Sequence, residues 1–345
     1  MEVVMTQINV HAVWRFAVFV GLLWLSPGVQ IAFAQTKVAI GYTVVDPSVL
    51  PLWIAHEQGI LRKHDIDARV VVTTGTAVPR LLAGEFQFVF QGMPATILAA
   101  LDGKDLKILA PSTTGRVSGQ LVARPEIKQP ADLRGKRFGV ISIGAGVWIA
   151  TMLALEHLGL NPQRDAISLK AVGNQLQMVQ ALKAGEVDAV VLDVARAVQL
   201  RTEGYAVLLD LYPANLYGAQ NAITVTGTYA REHPDTVEKV LEAMVEAMAY
   251  SSSPANKDIV LRTLMKHMQI TDGAAAERGY ENFLRNLNRK PYPMVERLQN
   301  MQRIMALHEP KVLNLKADDL IDDRFIRKLD KSGVIDRLYS TYGVK

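Results

Sequence analysis

The chain has 345 residues, a net charge of +4 and no cysteine, which excludes disulfides, a thiol nucleophile, a cysteine-ligated metal and a lipidated N-terminal cysteine. Hydrophobic residues make up 49% and charged residues 21% of the chain, which argues against both a disordered chain and a polytopic membrane protein. The length predicts two domains. Basic and acidic residues alternate, as in RFIRKLDKSGVIDR, which indicates an ordinary solvated surface and leaves nucleic-acid binding as the weaker interpretation.

The N-terminal segment differs in composition from the rest of the chain. Arg15 precedes an apolar run of ten residues, Phe16–Leu25, and the small residues at Ala32–Ala34 follow in the pattern that signal peptidase reads. This predicts a signal peptide over residues 1–34, cleaved after Ala34, and hence a periplasmic protein. The apolar run is shorter than the roughly 20 residues that span a bilayer, which leaves a permanent anchor as the weaker alternative. Met5 is an alternative start.

From Lys37 the chain alternates between strand and helix patterns. In order, the segments are KVAIGY, LPLWIAHEQGIL, DARVVVT, AVPRLLAGE, FQFVFQ, PATILAALDG and LKILAPS. The first, third, fifth and seventh are short and apolar, as strands are, whereas the others carry apolar residues at helical spacing and end near glycine. Such alternation predicts a mostly parallel sheet covered by helices on both faces.

The same order of elements returns about 100 residues later. LLAGEFQFVF at Leu81–Phe90 is matched by LKAGEVDAVV at Leu182–Val191, at an offset of 101 residues (184 − 83 for the shared alanine), and KVAIGY is echoed by KRFGVIS at Lys136–Ser142. The repeat predicts an α/β fold of two similar lobes. The alternative is one large sheet built from duplicated units.

After the second copy the pattern changes to helices. AITVTGTYA at Ala222–Ala230 predicts one more strand, and from Pro234 onward the spacing of apolar residues predicts a helical C-terminal region. Methionines recur three or four residues apart there, as at Met244 and Met248. This spacing predicts core filling and not a metal or cofactor site.

The loops that follow the predicted strands are rich in glycine and hydroxyl residues. In open α/β sheets, ligands bind beyond the carboxyl ends of the strands, where the next helix presents free N–H groups. The loop sequences are TVVDPS, TTGTA, GMPAT, STTGRVSG, SIGAG, GNQ and LDVAR. They suit an anion or a polar small molecule held by neutral hydrogen bonds, although each is also typical of an ordinary helix cap.

Few charged or aromatic side chains accompany these loops. Arg116 is the cation in the loops of the first copy, where it would either bind a carboxylate, sulfonate or phosphate in bidentate fashion or pair with an acid at the surface. Asp193 and Arg196 lie at the matching edge of the second copy. Tyr42 and Trp53 lie in or just after the first predicted strand, where each either stacks on a ligand or belongs to the core.

The sequence lacks the residue spacing of the common catalytic and cofactor-binding motifs. GAG at Gly144–Gly146 lacks the spacing of a dinucleotide fingerprint, no Walker lysine follows a glycine loop, and HEQGI has Ile60 where a zinc protease needs a histidine. No nucleophile stands beside an evident base. The sequence therefore predicts a binding protein with no catalytic residues, no metal and no cofactor.

Several of these segments, taken together, are similar to one known family. IGYTVVDPSVLPLWIAHEQGIL from Ile40, PADLRGKRFGVISIGAG from Pro130, the second ALKAGEVDAVV and FIRKLDKSGVIDRLY from Phe325 resemble periplasmic substrate-binding proteins of the nitrate, sulfonate and taurine (NitT/TauT) class of ABC importers. The resemblance covers essentially all of residues 37–342. It implies the type 2 periplasmic-binding-protein fold, in which two similar lobes enclose a ligand cleft.

The resemblance also implies a domain organisation. The chain would cross between the lobes near Gln120–Arg124 and again near Gln220–Thr226. The implied ranges are residues 35–121 for the first part of lobe 1, residues 122–221 for lobe 2, and residues 222–345 for a return strand and C-terminal helices that mostly complete lobe 1.

A site and partners follow from the same resemblance. Hinge closure of the two lobes would trap a small-molecule ligand and present a closed surface to a membrane permease with its cytoplasmic ATPase. The protein itself is expected to be a monomer. Together with Tyr42, the candidate ligand-binding residues on the cleft walls are Thr43, Thr74, Gly75, Gln91, Gly92, Arg116, Ser142, Gly144, Asn174 and Asp193.

The ligand itself stays open. Members of this class and its relatives bind nitrate, aliphatic sulfonates, taurine, aromatic acids and pyrimidine precursors, and Arg116 is the expected partner of a sulfonate or carboxylate. The alternative is an enzyme of the same fold, similar to thiamin-pyrimidine synthases or menaquinone-pathway lyases. Those enzymes are cytosolic, and the synthases carry a cysteine-rich motif that this chain lacks. A ligand-sensing regulatory module is weaker still, because no helix-turn-helix precedes Lys37.

Overall fold

A computed structural model describes residues 35–73 and 77–344 of the chain. The predicted signal peptide and two of the candidate site residues, Thr74 and Gly75, lie outside the described residues. Within the described ranges, no helix combines the length and the apolar composition that crossing a membrane requires.

The first sheet has five strands, of which four come from the first half of the chain. They are β1 (Thr36–Tyr42), β2 (Ile66–Val72), β3 (Phe88–Gly92), β4 (Leu106–Pro111) and β10 (Asn221–Thr226). Their order across the sheet is β2-β1-β3-β10-β4. β1 is parallel to β2 and β3, whereas β10 is antiparallel to both β3 and β4. The sheet is therefore mixed, with the late strand β10 inserted between two early ones.

The second sheet repeats this plan with the next five strands. They are β5 (Gln120–Ala123), β6 (Arg137–Val140), β7 (Ser168–Ala171), β8 (Ala189–Leu192) and β9 (Ala206–Asp210). Their order is β7-β6-β8-β5-β9, with β5 antiparallel to β8 and β9. The two sheets thus match strand for strand, which confirms the predicted fold of two similar lobes. We call each sheet, with the helices packed on it, lobe 1 and lobe 2.

Helices connect the strands and fill the C-terminal region. Those before β10 are α1 (Leu50–Glu57), α2 (Ile60–Lys63), α3 (Val78–Leu82), α4 (Met93–Leu101), α5 (Gly146–His157), α6 (Gln175–Lys183) and α7 (Val194–Thr202). Those after β10 are α8 (Gly227–Glu232), α9 (Pro234–Ser252), α10 (Lys257–Met268), α11 (Gly273–Asn286), α12 (Val295–Met305), α13 (Ala317–Leu320), α14 (Arg324–Lys331) and α15 (Val334–Thr341).

The C-terminal helices pack on both lobes. α9 is the centre of the lobe 1 core, where Leu241, Met244 and Met248 are buried among residues of β1, α1 and α15. The methionines therefore fill the core, as their spacing predicts. In contrast, α12 packs against α5 of lobe 2, and its Met301 shares a core cluster with Trp148. The apolar faces of these helices thus join the two lobes.

Two adjacent segments, residues 112–119 and 211–220, connect the lobes, and we call them the hinge segments. They are bonded to each other, since Val117 N–H donates to the Leu216 carbonyl at 2.8 Å and Gly218 N–H to the Gly115 carbonyl at 3.0 Å. One leaves the carboxyl end of β4 and the other the carboxyl end of β9. Because β4 runs parallel to β1, and β9 to β8, the carboxyl edges of both sheets flank the hinge.

Candidate functional site

The carboxyl edges of the two sheets approach each other, and we call the region between them the cleft. Arg196, in the first turn after β8, donates from Nη1 to the carbonyl of Val45, just after β1, at 3.3 Å. Near the hinge, a Cβ added to Gly146 at the start of α5 would lie 3.4 Å from the Ala219 Cβ. The loops that the sequence predicts as ligand-binding therefore include segments that lie together at this cleft.

Tyr42 and Thr43 end the first strand of lobe 1. Tyr42 is buried and meets Trp53 edge-on, with ring centroids 6.3 Å apart, and burial raises the pKa of its phenol. Thr43 is half-buried, and its N–H donates to the Phe90 carbonyl at 3.4 Å. Trp53 is fully buried and stacks on His267 at 4.5 Å. Trp53 therefore belongs to the core, whereas Thr43 keeps partial access to the cleft.

The loop after Thr43 contains Asp46, an acid that the sequence analysis does not predict as a site residue. Its carboxylate accepts hydrogen bonds from the N–H and the hydroxyl of Ser48, at 2.8 and 2.5 Å, and the Ser48 hydroxyl accepts from Asn221 at 2.7 Å. Burial and the neighbouring Asp193 raise the pKa of Asp46, while the Ser48 bonds and the charge of Arg196 lower it, with a net rise. The Asp-Pro pair that starts a helical turn was the sequence signal for this residue.

Gln91 and Gly92 end the third strand. Gln91 is buried, and its side chain accepts from Ala77 N–H at 3.3 Å and donates to the Thr96 hydroxyl at 3.4 Å. It is thus bonded within lobe 1. Gly92 is half-buried and precedes α4 without a side-chain cap, so only its backbone is offered at the cleft edge.

In lobe 2, the candidates lie in loops that begin helices. Ser142 is exposed, and Gly144 is buried with φ of 81°, where a Cβ would lie 3.6 Å from the His308 ring. The positive φ favours glycine at this position. Asn174 is exposed and caps α6, with its Oδ1 accepting from Gln177 N–H at 3.0 Å while Gln177 Oε1 accepts from Asn174 N–H at 2.8 Å. This capping box occupies the Asn174 side chain.

Asp193 caps α7 and holds a buried cation. Its Oδ1 accepts from Arg196 N–H at 3.0 Å and its Oδ2 from the Arg196 guanidinium at 2.5 Å. Both side chains are more than nine-tenths buried. The positive charge of Arg196 is therefore neutralised by protein.

Arg116 lies in the first hinge segment. Its guanidinium stacks over the Tyr212 ring at 4.1 Å, and Arg285 lies over the same ring at 5.5 Å. Arg116 Nε is buried without a hydrogen-bond partner, and no carboxylate among residues 35–73 and 77–344 forms an ion pair with this side chain. Tyr212 follows β9 at the cleft edge and is absent from the predicted site list, because a lone Tyr in a loop carries no sequence signal. The guanidinium is held in place while its charge stays uncompensated.

A large open groove lies away from these loops. It measures about 750 Å³ and is formed by α5, α12 and the second hinge segment. Its wall includes Tyr217, over which Arg297 stacks at 4.8 Å. None of the predicted site residues that the structure describes lines it.

The chain matches one family model over more than half its length. Residues 46–256 match the model described as NMT1/THI5 like. The chain therefore belongs to the NMT1/THI5-like family. No curated protein matches it at the sequence level.

Solved structures with the same fold include several binding proteins. The periplasmic aliphatic sulphonate binding protein SsuA of Escherichia coli is 19% identical, with a TM-score of 0.67 over 83% of this chain and 92% of that one. The alkanesulfonate-binding protein SsuA of Xanthomonas axonopodis pv. citri, bound to MOPS, is 17% identical, with a TM-score of 0.66 over 83% and 98%. The periplasmic nitrate-binding protein NrtA of Synechocystis PCC 6803 is 15% identical, with a TM-score of 0.69 over 86% and 89%. These likenesses establish the periplasmic-binding-protein fold.

Proposed function

We propose that this protein is the extracytoplasmic substrate-binding component of an ABC importer. It would capture a small organic or inorganic anion, or a polar small molecule, between its lobes and deliver it to a membrane permease. The observation that carries the proposal is the meeting of two carboxyl sheet edges across a hinge, the place where open α/β sheets bind ligands. The similar structures, named for the binding of sulfonates and nitrate, support it.

Arg116 is the residue we assign to an anionic ligand. Of the two cleft arginines described above, Arg196 is bonded to Asp193, whereas Arg116 stacks on Tyr212 without an acidic partner. Stacking fixes the plane of a guanidinium while leaving its N–H edge free for a carboxylate, sulfonate or nitrate. The half-buried Thr43 and the backbone at Gly92 and Gly144 would add neutral donors.

We infer a periplasmic location from the signal-peptide pattern of the N-terminal segment. The full chain, expressed in a Gram-negative host, is expected in the periplasmic fraction with Gln35 as its first residue, which intact-mass spectrometry would measure. Full-length protein in the cytosol would favour the enzyme alternative.

Binding is tested on that exported protein by thermal shift and calorimetry. The probes are nitrate, MOPS and other small sulfonates, carboxylates and pyrimidines, and a bound ligand raises the melting temperature by mass action. For an anionic hit we expect Arg116→Ala to weaken affinity roughly 10- to 100-fold, because a charge-assisted hydrogen bond contributes about 1.5–3 kcal/mol. Chromatography of the hit after incubation with the protein would detect turnover.

A matched control separates the charge effect from general damage. Arg297 stacks on Tyr217 as Arg116 stacks on Tyr212, but in the groove outside the cleft, so Arg297→Ala should leave affinity unchanged. Equal affinity in wild type and Arg116→Ala would contradict the assignment of Arg116. A hit that is chemically consumed would contradict the transport function.

A further inference from the structure

Arg196 is a buried arginine of lobe 2 whose contacts extend into lobe 1. Only 6% of its surface is exposed. It lies in the first turn of α7, just beyond the carboxyl end of β8. A guanidinium in such a place is costly to bury unless its donors are bonded.

Its bonds cross the cleft. Nη1 donates to the Val45 carbonyl at 3.3 Å and Nη2 to the Met268 carbonyl at 3.3 Å. Val45 follows β1, and Met268 ends α10, where the last carbonyls of a helix lack intrahelical donors. A cation is favoured at that helix terminus. One side chain of lobe 2 therefore satisfies two separate backbone acceptors of lobe 1.

Asp193 orients this side chain from within lobe 2. Its two oxygens bind the backbone N–H and the guanidinium of Arg196, which fixes the start of α7 and the direction of the arginine together. The fork geometry of a guanidinium lets it bond a carboxylate and carbonyls at once, whereas a lysine ammonium is a point charge on a flexible stem.

Close helix packing surrounds these bonds. α7 of lobe 2 lies against α11 of the C-terminal region, and a Cβ added to Gly279 would lie only 3.0 Å from the Ala195 Cβ. α11 in turn buries Tyr280 and Phe283 in the lobe 1 core. The helices approach this closely because Ala195 and Gly279 are small.

We propose that Arg196 is a positioning residue that sets the angle between the lobes without help from a ligand. The clasp, which we define as Arg196, Asp193 and the Val45 and Met268 carbonyls, is built from groups of this chain, and we expect it to hold the two carboxyl edges together in the unbound protein. This goes beyond the proposed function, because it concerns the resting conformation and needs no ligand to be tested.

The chain offers a clean pair of labelling sites for the test. It has no cysteine, so Val72→Cys and Leu176→Cys introduce two unique thiols. Both positions are exposed, by 54% and 43%. Val72 ends β2, and Leu176 is the second residue of α6, which follows β7. β2 and β7 are the strands farthest from the hinge in each sheet, so a change of lobe angle moves labels there most.

The measurement is the distance between spin labels at these sites, by pulsed electron paramagnetic resonance, on ligand-free protein. With Arg196 intact we expect one narrow distribution. Arg196→Met, which keeps an unbranched apolar stem but removes the guanidinium donors, should shift the distribution to longer distances by several ångström. Arg196→Lys should shift it partly. The double variant Asp193→Asn with Arg196→Met should match Arg196→Met, which excludes repulsion by an unpaired carboxylate as the cause.

Two further variants keep the test decisive. Arg324→Met is the matched control, since Arg324 bonds the Ala230 carbonyl and pairs with Asp322 entirely within the C-terminal part that packs on lobe 1, and it should leave the distances unchanged. Gly279→Leu should push α7 and α11 apart by steric clash and so lengthen the distance between the labels. This variant gives a second test if Arg196→Met fails to fold. The proposal is overturned if folded Arg196→Met and Arg196→Lys keep the wild-type distances, or if Arg324→Met shifts them as far.

Discussion

Lobe 1 and lobe 2 place different chemistry at the same position of one repeated frame. At the offset of 101 residues (193 − 92), Gly92 corresponds to Asp193. Gly92 is the last residue of β3, Asp193 directly follows β8, and each immediately precedes a helix. Gly92 offers no side-chain cap, whereas Asp193 caps its helix and binds a cation. The turn glycines Gly84 and Gly185 share nearly the same φ, 74° and 72°. The two copies thus share a backbone conformation but differ in the side chains that follow their strands.

The largest expected difference between the lobes is in the stability lost when a strand glycine is replaced by alanine. Gly41 pairs with Val89 in lobe 1, and Gly139 pairs with Val190 in lobe 2. A Cβ on Gly41 would lie 2.6 Å from the Phe86 ring, but one on Gly139 no closer than 3.0 Å to Val190. We therefore expect Gly41→Ala to lower the free energy of unfolding by about 2–3 kcal/mol and Gly139→Ala by about 1 kcal/mol, measured by urea unfolding.

A double variant locates the cause of that difference. Phe86→Val copies the residue found at the matching position of lobe 2, Val187, so Gly41→Ala should cost less in that background, with a coupling free energy of about 1 kcal/mol. If Gly41→Ala and Gly139→Ala lower the free energy of unfolding by the same amount, the surroundings of the two strand glycines do not differ as described.

Acid should weaken lobe 1 through Glu246 of α9. Burial alone would raise the pKa of this carboxyl, but hydrogen bonds from His64, Lys63 and Tyr342 outweigh burial and lower the pKa to about 2. Because the folded-state pKa lies below the ordinary value of 4.5, the stabilisation is full above about pH 4.5 and is lost as the pH falls towards 2. Its size is about 2 kcal/mol, reduced from the full pKa difference because Lys63 is exposed to solvent.

Glu246→Gln separates this contribution from general acid unfolding. The stability gap between wild type and Glu246→Gln, measured by urea unfolding at several pH values, should be constant above pH 5 and narrow below pH 4.5. Asp165→Asn gives the comparison in lobe 2, since hydrogen bonds from Arg164 and neighbouring groups also hold the pKa of Asp165 low. Its effect should be smaller because both of its arginine partners are exposed, whereas Glu246 is fully buried and also bonds the mostly buried His64. A gap for Glu246→Gln that does not change with pH would contradict the argument.

The smallest expected effect is at the start of α6. Asn174→Ala removes a capping box and should lower the free energy of unfolding by about 1 kcal/mol. In lobe 1 the corresponding helix is α3, whose N-cap residue Ala77 forms no side-chain capping hydrogen bond. Asn174→Asp keeps the cap and should retain wild-type stability; a ligand affinity that changes in this variant would identify Asn174 as a binding residue as well.

The sequence predicted the fold because its signals are local and repeated. The spacing of apolar residues in strands and helices, and turn glycines such as Gly84 and Gly185, recur in both copies. Each of these patterns can be recognised from a short stretch of sequence. The orientation of the Gln91 side chain could not be predicted from the sequence. It depends on hydrogen bonds to the Ala77 N–H and the Thr96 hydroxyl, which turn the side chain away from the cleft. The partners of Arg196 were not readable either. Two of them are backbone carbonyls, which every residue has, and Val45 lies 151 residues away.

The position of β10 has a consequence for assembly during synthesis. This strand lies between β3 and β4 in the sheet of lobe 1, yet it follows all of lobe 2 in the chain. As the polypeptide grows from its N-terminus, β3 can pair with β1, but its other edge and the whole of β4 have no strand partner until Asn221, 110 residues after Pro111 (221 − 111), has been added. Closing such a long loop is slow. The strands of lobe 2 are contiguous in the chain. The second-made half can thus complete its sheet first and bring Asn221 next to the gap that it must fill.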